Sequence, residues 1–126
     1  MRNLSRAIIG VVLLASFASG QKKSHEITIT GEVVETQCYV TGLSGSGKGI
    51  THKECALTCA KNGIPLSILE DGTNQIFVAG QTKTAQSGVN KMLIDYVADK
   101  VKVTGRTFEK GGMKLILISR VERVTP

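Results

Sequence analysis

The stretch His25-Glu-Ile-Thr-Ile-Thr-Gly-Glu-Val-Val-Glu-Thr-Gln-Cys-Tyr-Val40 decides the fold. Ile27, Ile29, Gly31 and Val33 alternate with Thr28, Thr30, Glu32 and Val34, the period of two that marks a strand with one buried face. The run continues to about Val40, which is long for one strand. Gly31 has no Cβ and can sit at a bend or bulge, so that one strand serves two sides of a barrel.

Working outward, residues 41–50 form a flexible Gly/Ser-rich loop. Thr51-x-x-Glu54 is a capping box, in which each side chain reaches the other's free backbone N–H. Gly63 supplies the C-terminal stop and Pro65 prevents continuation, so this helix runs from about His52 to Lys61. Strands follow at 66–69 and 75–79, joined by the turn Glu70-Asp71-Gly72-Thr73, where Gly72 suits a positive φ. Residues 82–88 read as a polar loop. Val89, Leu93, Tyr96 and Val97, with Met92 beside them, recur at helical spacing and predict a second helix over 89–99. Strands at about 101–108 and 113–124 are separated by the turn Lys110-Gly111-Gly112. A mainly β chain with one helix after strand 1 and another between strands 3 and 4 is the layout of a five-stranded, OB-like barrel.

The barrel is expected to occupy residues 21–126, because residues 1–20 read as an export signal. Arg2 and Arg6 give a basic start, 7–17 is an apolar stretch too short for a stable membrane anchor, and Ala18-Ser19-Gly20 offers small residues for cleavage before Gln21. No Cys follows the apolar stretch to carry a lipid, and no second apolar run is long enough to span a bilayer. A soluble, exported monomer, periplasmic or extracellular, is the expectation. Removing residues 1–20 takes two of the 16 basic residues and none of the 10 acidic ones, leaving a net charge of about +4. That charge is mild and scattered, which argues against a polyanion partner.

Cys38, His52, Cys55 and Cys59 are the residues that carry chemistry. At about 100° per residue, His52, Cys55 and Cys59 fall within an arc of ~60° on one helix face. Cys38 lies near the end of the first strand, and the loop is long enough to fold the helix back over it. The four side chains then form a Cys₃His set suited to Zn(II), or to Cu(I) through thiolate softness. Cys55, in the first helical turn, feels the positive end of the helix dipole, which favours thiolate. The competing reading is a disulfide from Cys38 to Cys55 or Cys59, with the third thiol a small buried apolar group. Three cysteines in an oxidising compartment leave at least one over. A Cys55–Cys59 bridge is the least favoured pairing, since both side chains project along a rigid helix. Two function classes therefore stand open: a binding protein for Zn or Cu, and a disulfide-stapled structural or interaction module for an unknown protein or small molecule.

Other readings lack parts. Gly42-x-x-x-x-Gly47-Lys48 nearly matches a phosphate-binding loop, but Gly49 stands where a Ser or Thr must hold magnesium. There is no Cys-x-x-Cys redox pair and no Gly-x-Ser-x-Gly elbow, so no enzyme is indicated. Asp95 and Asp99 fit a solvated helix face, and His25 fits a tail. Only Tyr39, Phe77, Tyr96 and Phe108 supply rings after residue 20, too few to stack a single-stranded nucleic acid once Phe77 and Tyr96 are assigned to the core.

The pattern Gly31-Glu-Val-Val-Glu-Thr-Gln-Cys38-Tyr39, His52-x-x-Cys55-Ala-x-x-Cys59-Ala-x-x-Gly63-x-Pro65 and Val101-x-Val-Thr-Gly105 resembles a group of small exported bacterial proteins with an OB-like barrel. The resemblance covers most of the chain after residue 20, and its Cys/His part is the specific portion. It implies export and fold and leaves function open.

Overall fold

The computed structural model describes residues 25–81 and 88–125. The expected export signal lies outside the described residues, as does most of the expected 82–88 loop. Five strands, β1 (Glu26–Glu35), β2 (Leu66–Glu70), β3 (Ile76–Gln81), β4 (Lys100–Lys110) and β5 (Met113–Arg123), form a closed barrel in the order β1-β2-β3-β5-β4. β3 and β5 pair parallel and the other neighbours antiparallel. This is the OB-like arrangement expected from the element order.

Closure depends on β1 serving two neighbours. Its first part, from Glu26 to Glu32, pairs with β4, and its last part, from Gly31 to Glu35, pairs with β2. Gly31 sits in the overlap, and a Cβ there would collide with the backbone carbonyl of Leu69 on β2. Gly105 plays a similar part on β4. The register with β5 shifts between Thr104 and Gly105, and a Cβ would strike the backbone of Leu117. Glycine at both places allows the sheet to coil tightly enough to close.

Alternate residues of the strands fill the barrel: Ile29, Val33, Leu66, Ile68, Phe77, Ala79, Val101, Val103, Ile116 and Ile118. Three helices dress it, α1 (Thr36–Thr41), α2 (Lys53–Lys61) and α3 (Gly88–Leu93). α2 buries Ala56 and Ala60 in the core, with Leu57 packed half-buried against it, and the two small side chains let its backbone approach the barrel closely. α3, continued by a 3-10 turn over Ile94–Tyr96, brings in Leu93, and Val97 follows. Asn90 of α3 ties these pieces together. Its Nδ2 donates to the carbonyls of Ala60 (3.1 Å) and Ile64 (2.7 Å), and its Oδ1 accepts from Leu66 N–H (3.1 Å). Among the described residues no helix is long and apolar enough to cross a membrane.

Five local expectations change. The helix expected over 89–99 is α3 followed by the 3-10 turn, and the chain leaves helical geometry at Val97 (φ −56°, ψ 129°). β1 ends at Glu35, not near Val40, because a helix intervenes at Thr36–Thr41. α2 begins after a 3-10 turn over Ile50–His52, and neither start has a side-chain cap, so the Thr51/Glu54 box is not made. The Gly/Ser loop has fixed anchors: Gly49 N–H donates to Glu32 Oε1 at 2.5 Å, and Gly47 is buried against the backbone of Cys38 and Tyr39. Asp99 is not on a solvated face but accepts from both Lys53 (3.5 Å) and Arg123 (2.8 Å), linking the start of α2 to the end of β5.

Gly31→Ala is expected to cost about 3 kcal/mol, the upper end for forcing atoms into a packed interior, because its obstacle is backbone and cannot rotate away. Urea unfolding followed by circular dichroism measures this. An unchanged midpoint contradicts the hinge role assigned to Gly31.

Candidate metal centre

The site begins where β1 turns into α1. Continuing the alternation Ile29, Gly31, Val33 places Glu35 on the interior face, and it is fully buried. Its backbone is extended (φ −80°, ψ 125°) and its carboxylate caps α1: Oε1 accepts from Gln37 N–H at 2.6 Å and Oε2 from Cys38 N–H at 2.9 Å. A buried carboxylate needs such donors to offset its lost hydration. Thr36 secures the same corner to the start of β2. Its N–H and hydroxyl both donate to Pro65 O, at 3.0 and 2.6 Å, and its hydroxyl lies 2.7 Å from Ser67 Oγ.

The turn places Cys38 on a short helix facing α2. α1 ends at Gly42, whose left-handed backbone returns its N–H to Cys38 O at 3.0 Å. The loop then folds back so that Gly47 lies on the α1 backbone and Ser44 reaches the thiols. The Cys38 and Cys55 sulfurs each lie 3.8 Å from Ser44 Oγ, in donor geometry. Cys55 and Cys59 are one turn apart on α2, on either side of the inward-facing Ala56 and before Ala60.

The outcome is a cluster of three sulfurs. Sγ of Cys38, Cys55 and Cys59 all lie within 4.8 Å of one another. All three are free thiols, Cys38 buried, Cys59 half-buried and Cys55 exposed. His52, the fourth residue of the expected set, is not in this group. It lies in the 3-10 turn, whose tighter winding takes it off the α-helical phase that aligned it with the cysteines. Its side chain is buried at 6% exposure, and its Nε2 has no hydrogen-bond partner among the described residues.

Electrostatics favour the protonated thiol at Cys38 and Cys59. The Glu35 carboxylate beside Cys38, together with burial, pushes that thiol up to about 12 from its ordinary 9.0. Cys59 is raised too, first by burial, while the neighbouring Cys38 thiol pulls it the other way. A cation held among the sulfurs would have to replace those protons.

Sequence reasoning passed over Glu35 and Ser44. The alternation of β1 held the signal for Glu35: an acidic side chain on the inward face must be held by specific donors. Ser44 gave no signal within its Gly/Ser run. Compared with known proteins, the chain matched no protein family, no curated protein and no solved structure.

The Cys38 shift has a consequence for stability. A thiol whose pKa is raised on folding binds its proton more tightly in the native state, so it stabilises the fold below pH 9 and that contribution is lost as pH climbs toward about 12. Metal-free, reduced protein should lose stability across that alkaline window, and Cys38→Ser should lose less of it. Denaturation midpoints of the two proteins between pH 8 and pH 11 make the comparison; parallel curves contradict the assignment.

Proposed function

We propose that this chain is an exported, non-enzymatic metal-binding protein, with Cys38, Cys55 and Cys59 as thiolate ligands. The observation that carries this reading is the convergence of three sulfurs from two separate elements to within 4.8 Å. Cys38 comes from α1, and Cys55 and Cys59 from α2, brought together across 17 residues of sequence by a loop that packs on both. Thiolate triads bind soft and borderline cations, Cu(I) and Zn(II) foremost. Ligand thiols must shed their protons, so capture is coupled to proton release.

Export rests on residues 1–20, with their basic start, apolar centre and small-residue end. The resemblance to small exported OB-like proteins points the same way. In an oxidising compartment three neighbouring thiols oxidise readily unless held, and a bound cation holds them.

The test is thiol counting and metal analysis on protein isolated from its native host without reductant. The expected result is one Zn or Cu per chain and three alkylatable thiols after chelation, with an intact mass that lacks residues 1–20. A metal-free protein with one free thiol and a Cys38-linked disulfide peptide overturns the metal reading in favour of a stapled interaction module. A mass that retains the leader overturns export.

A further inference from the structure

Resting on the metal reading, we infer that the site takes a soft monovalent cation, Cu(I), in three-coordinate sulfur ligation, and that exposed Cys55 is the ligand through which the ion passes to a thiol-bearing partner. The donor set carries the first half. Among the described residues, the histidine, cysteine and carboxylate atoms that gather here are the three sulfurs alone. A closed structural Zn(II) site almost always takes four protein ligands. The protein groups that could complete its tetrahedron are outside the group or already engaged: His52 is outside the three-sulfur group, and each carboxylate oxygen of Glu35, beside Cys38, accepts a backbone N–H of α1. Ser44 offers a neutral hydroxyl, a hard and weak donor. Soft thiolates alone select Cu(I), which needs no fourth ligand.

Unequal exposure carries the second half. Cys38 is buried behind the Glu35 cap and the Gly47 contact, Cys59 is half-buried, and Cys55 is exposed at the start of α2. A structural metal has no use for an open ligand; a carried one does. In transfer, the partner's thiol loses its proton as its sulfur–copper bond forms. The Cys55 sulfur–copper bond breaks and Cys55 takes up a proton. Copper stays in the +1 state throughout, so the exchange consumes no oxidant or reductant. Cys38 and Cys59 hold the ion until a second exchange frees it.

The experiment loads the full reduced chain anaerobically with Cu(I) or Zn(II). Sulfur coordination is read by X-ray absorption, and loss of Cu(I) to glutathione is timed for wild type, Cys55→Ser and Cys38→Ser. Expected are three sulfurs around Cu(I), displacement of Zn(II) by one equivalent of Cu(I), and opposite kinetic effects of the two variants. Cys55→Ser leaves no exposed ligand and slows transfer by about tenfold or more, which is about 1.4 kcal/mol of barrier. Cys38→Ser removes the buried anchor and speeds it. Zn(II) retained against Cu(I), with a nitrogen or oxygen ligand in its spectrum, overturns this inference while leaving the metal reading intact. Equal rates in both variants overturn the role of Cys55. Failure of both ions to bind the reduced, folded chain overturns the metal reading itself.

Discussion

A carboxylate in the barrel wall governs this molecule. Glu35 occupies an interior position of β1 and can be buried there only because two backbone N–H groups, those of Gln37 and Cys38, converge on its oxygens. Those donors exist only if the chain turns into a helix immediately after the strand. The charge therefore ends β1, starts α1 and sets the direction in which Cys38 projects. Each of these facts requires the others. An unpaired carboxylate at that depth would cost several kcal/mol, so the corner has little freedom to rearrange.

The second half of the site depends on how closely α2 lies on the barrel. Ala56 and Ala60 let it sit close, beside Leu57, and Asn90 holds its C-terminal end by hydrogen bonds to the carbonyls of Ala60 and Ile64. Its N-terminal end is drawn in by Lys53 on Asp99, a carboxylate shared with Arg123. Both ends being held, the cysteine-bearing side of α2 has a fixed place relative to α1. The loop between them closes the arrangement through Gly47, where any side chain would strike the α1 backbone, and through Ser44.

Much of the fold is legible in the residues. Alternation along β1, the glycine at 31, the turn at Gly111-Gly112 and the helical spacing around Leu93 lead to a five-stranded barrel, because burial on one face imposes a period that composition cannot hide, although Val97 is buried from a bridge to Val33 rather than from the helix. Helix α1 was illegible for a definite reason. Thr36, Val40 and Thr41 are β-branched and favour strand, and Glu is not among the common N-cap residues, so local propensity pointed one way and a buried tertiary interaction prevailed. The cysteines were legible as a set because their types and spacing carry chemistry. His52 was placed with them by assuming an α-helix through residues 52–61; it lies instead in a 3-10 turn, outside the three-sulfur group.

With α1 held by Glu35 and α2 by Asn90 and Asp99, protein contacts rather than a metal bring the three sulfurs together, unlike small domains that fold only when loaded. Amide correlation spectra of the reduced chain, recorded before and after one equivalent of Cu(I), test this most directly. A folded spectrum is expected without metal, with shifts on loading confined to β1 near Glu35, α1, the loop through Gly47 and Gly49, and α2, while β3, β4 and β5 stay in place. A metal-free chain whose 36–61 segment is disordered, or whose whole spectrum changes on loading, would contradict it.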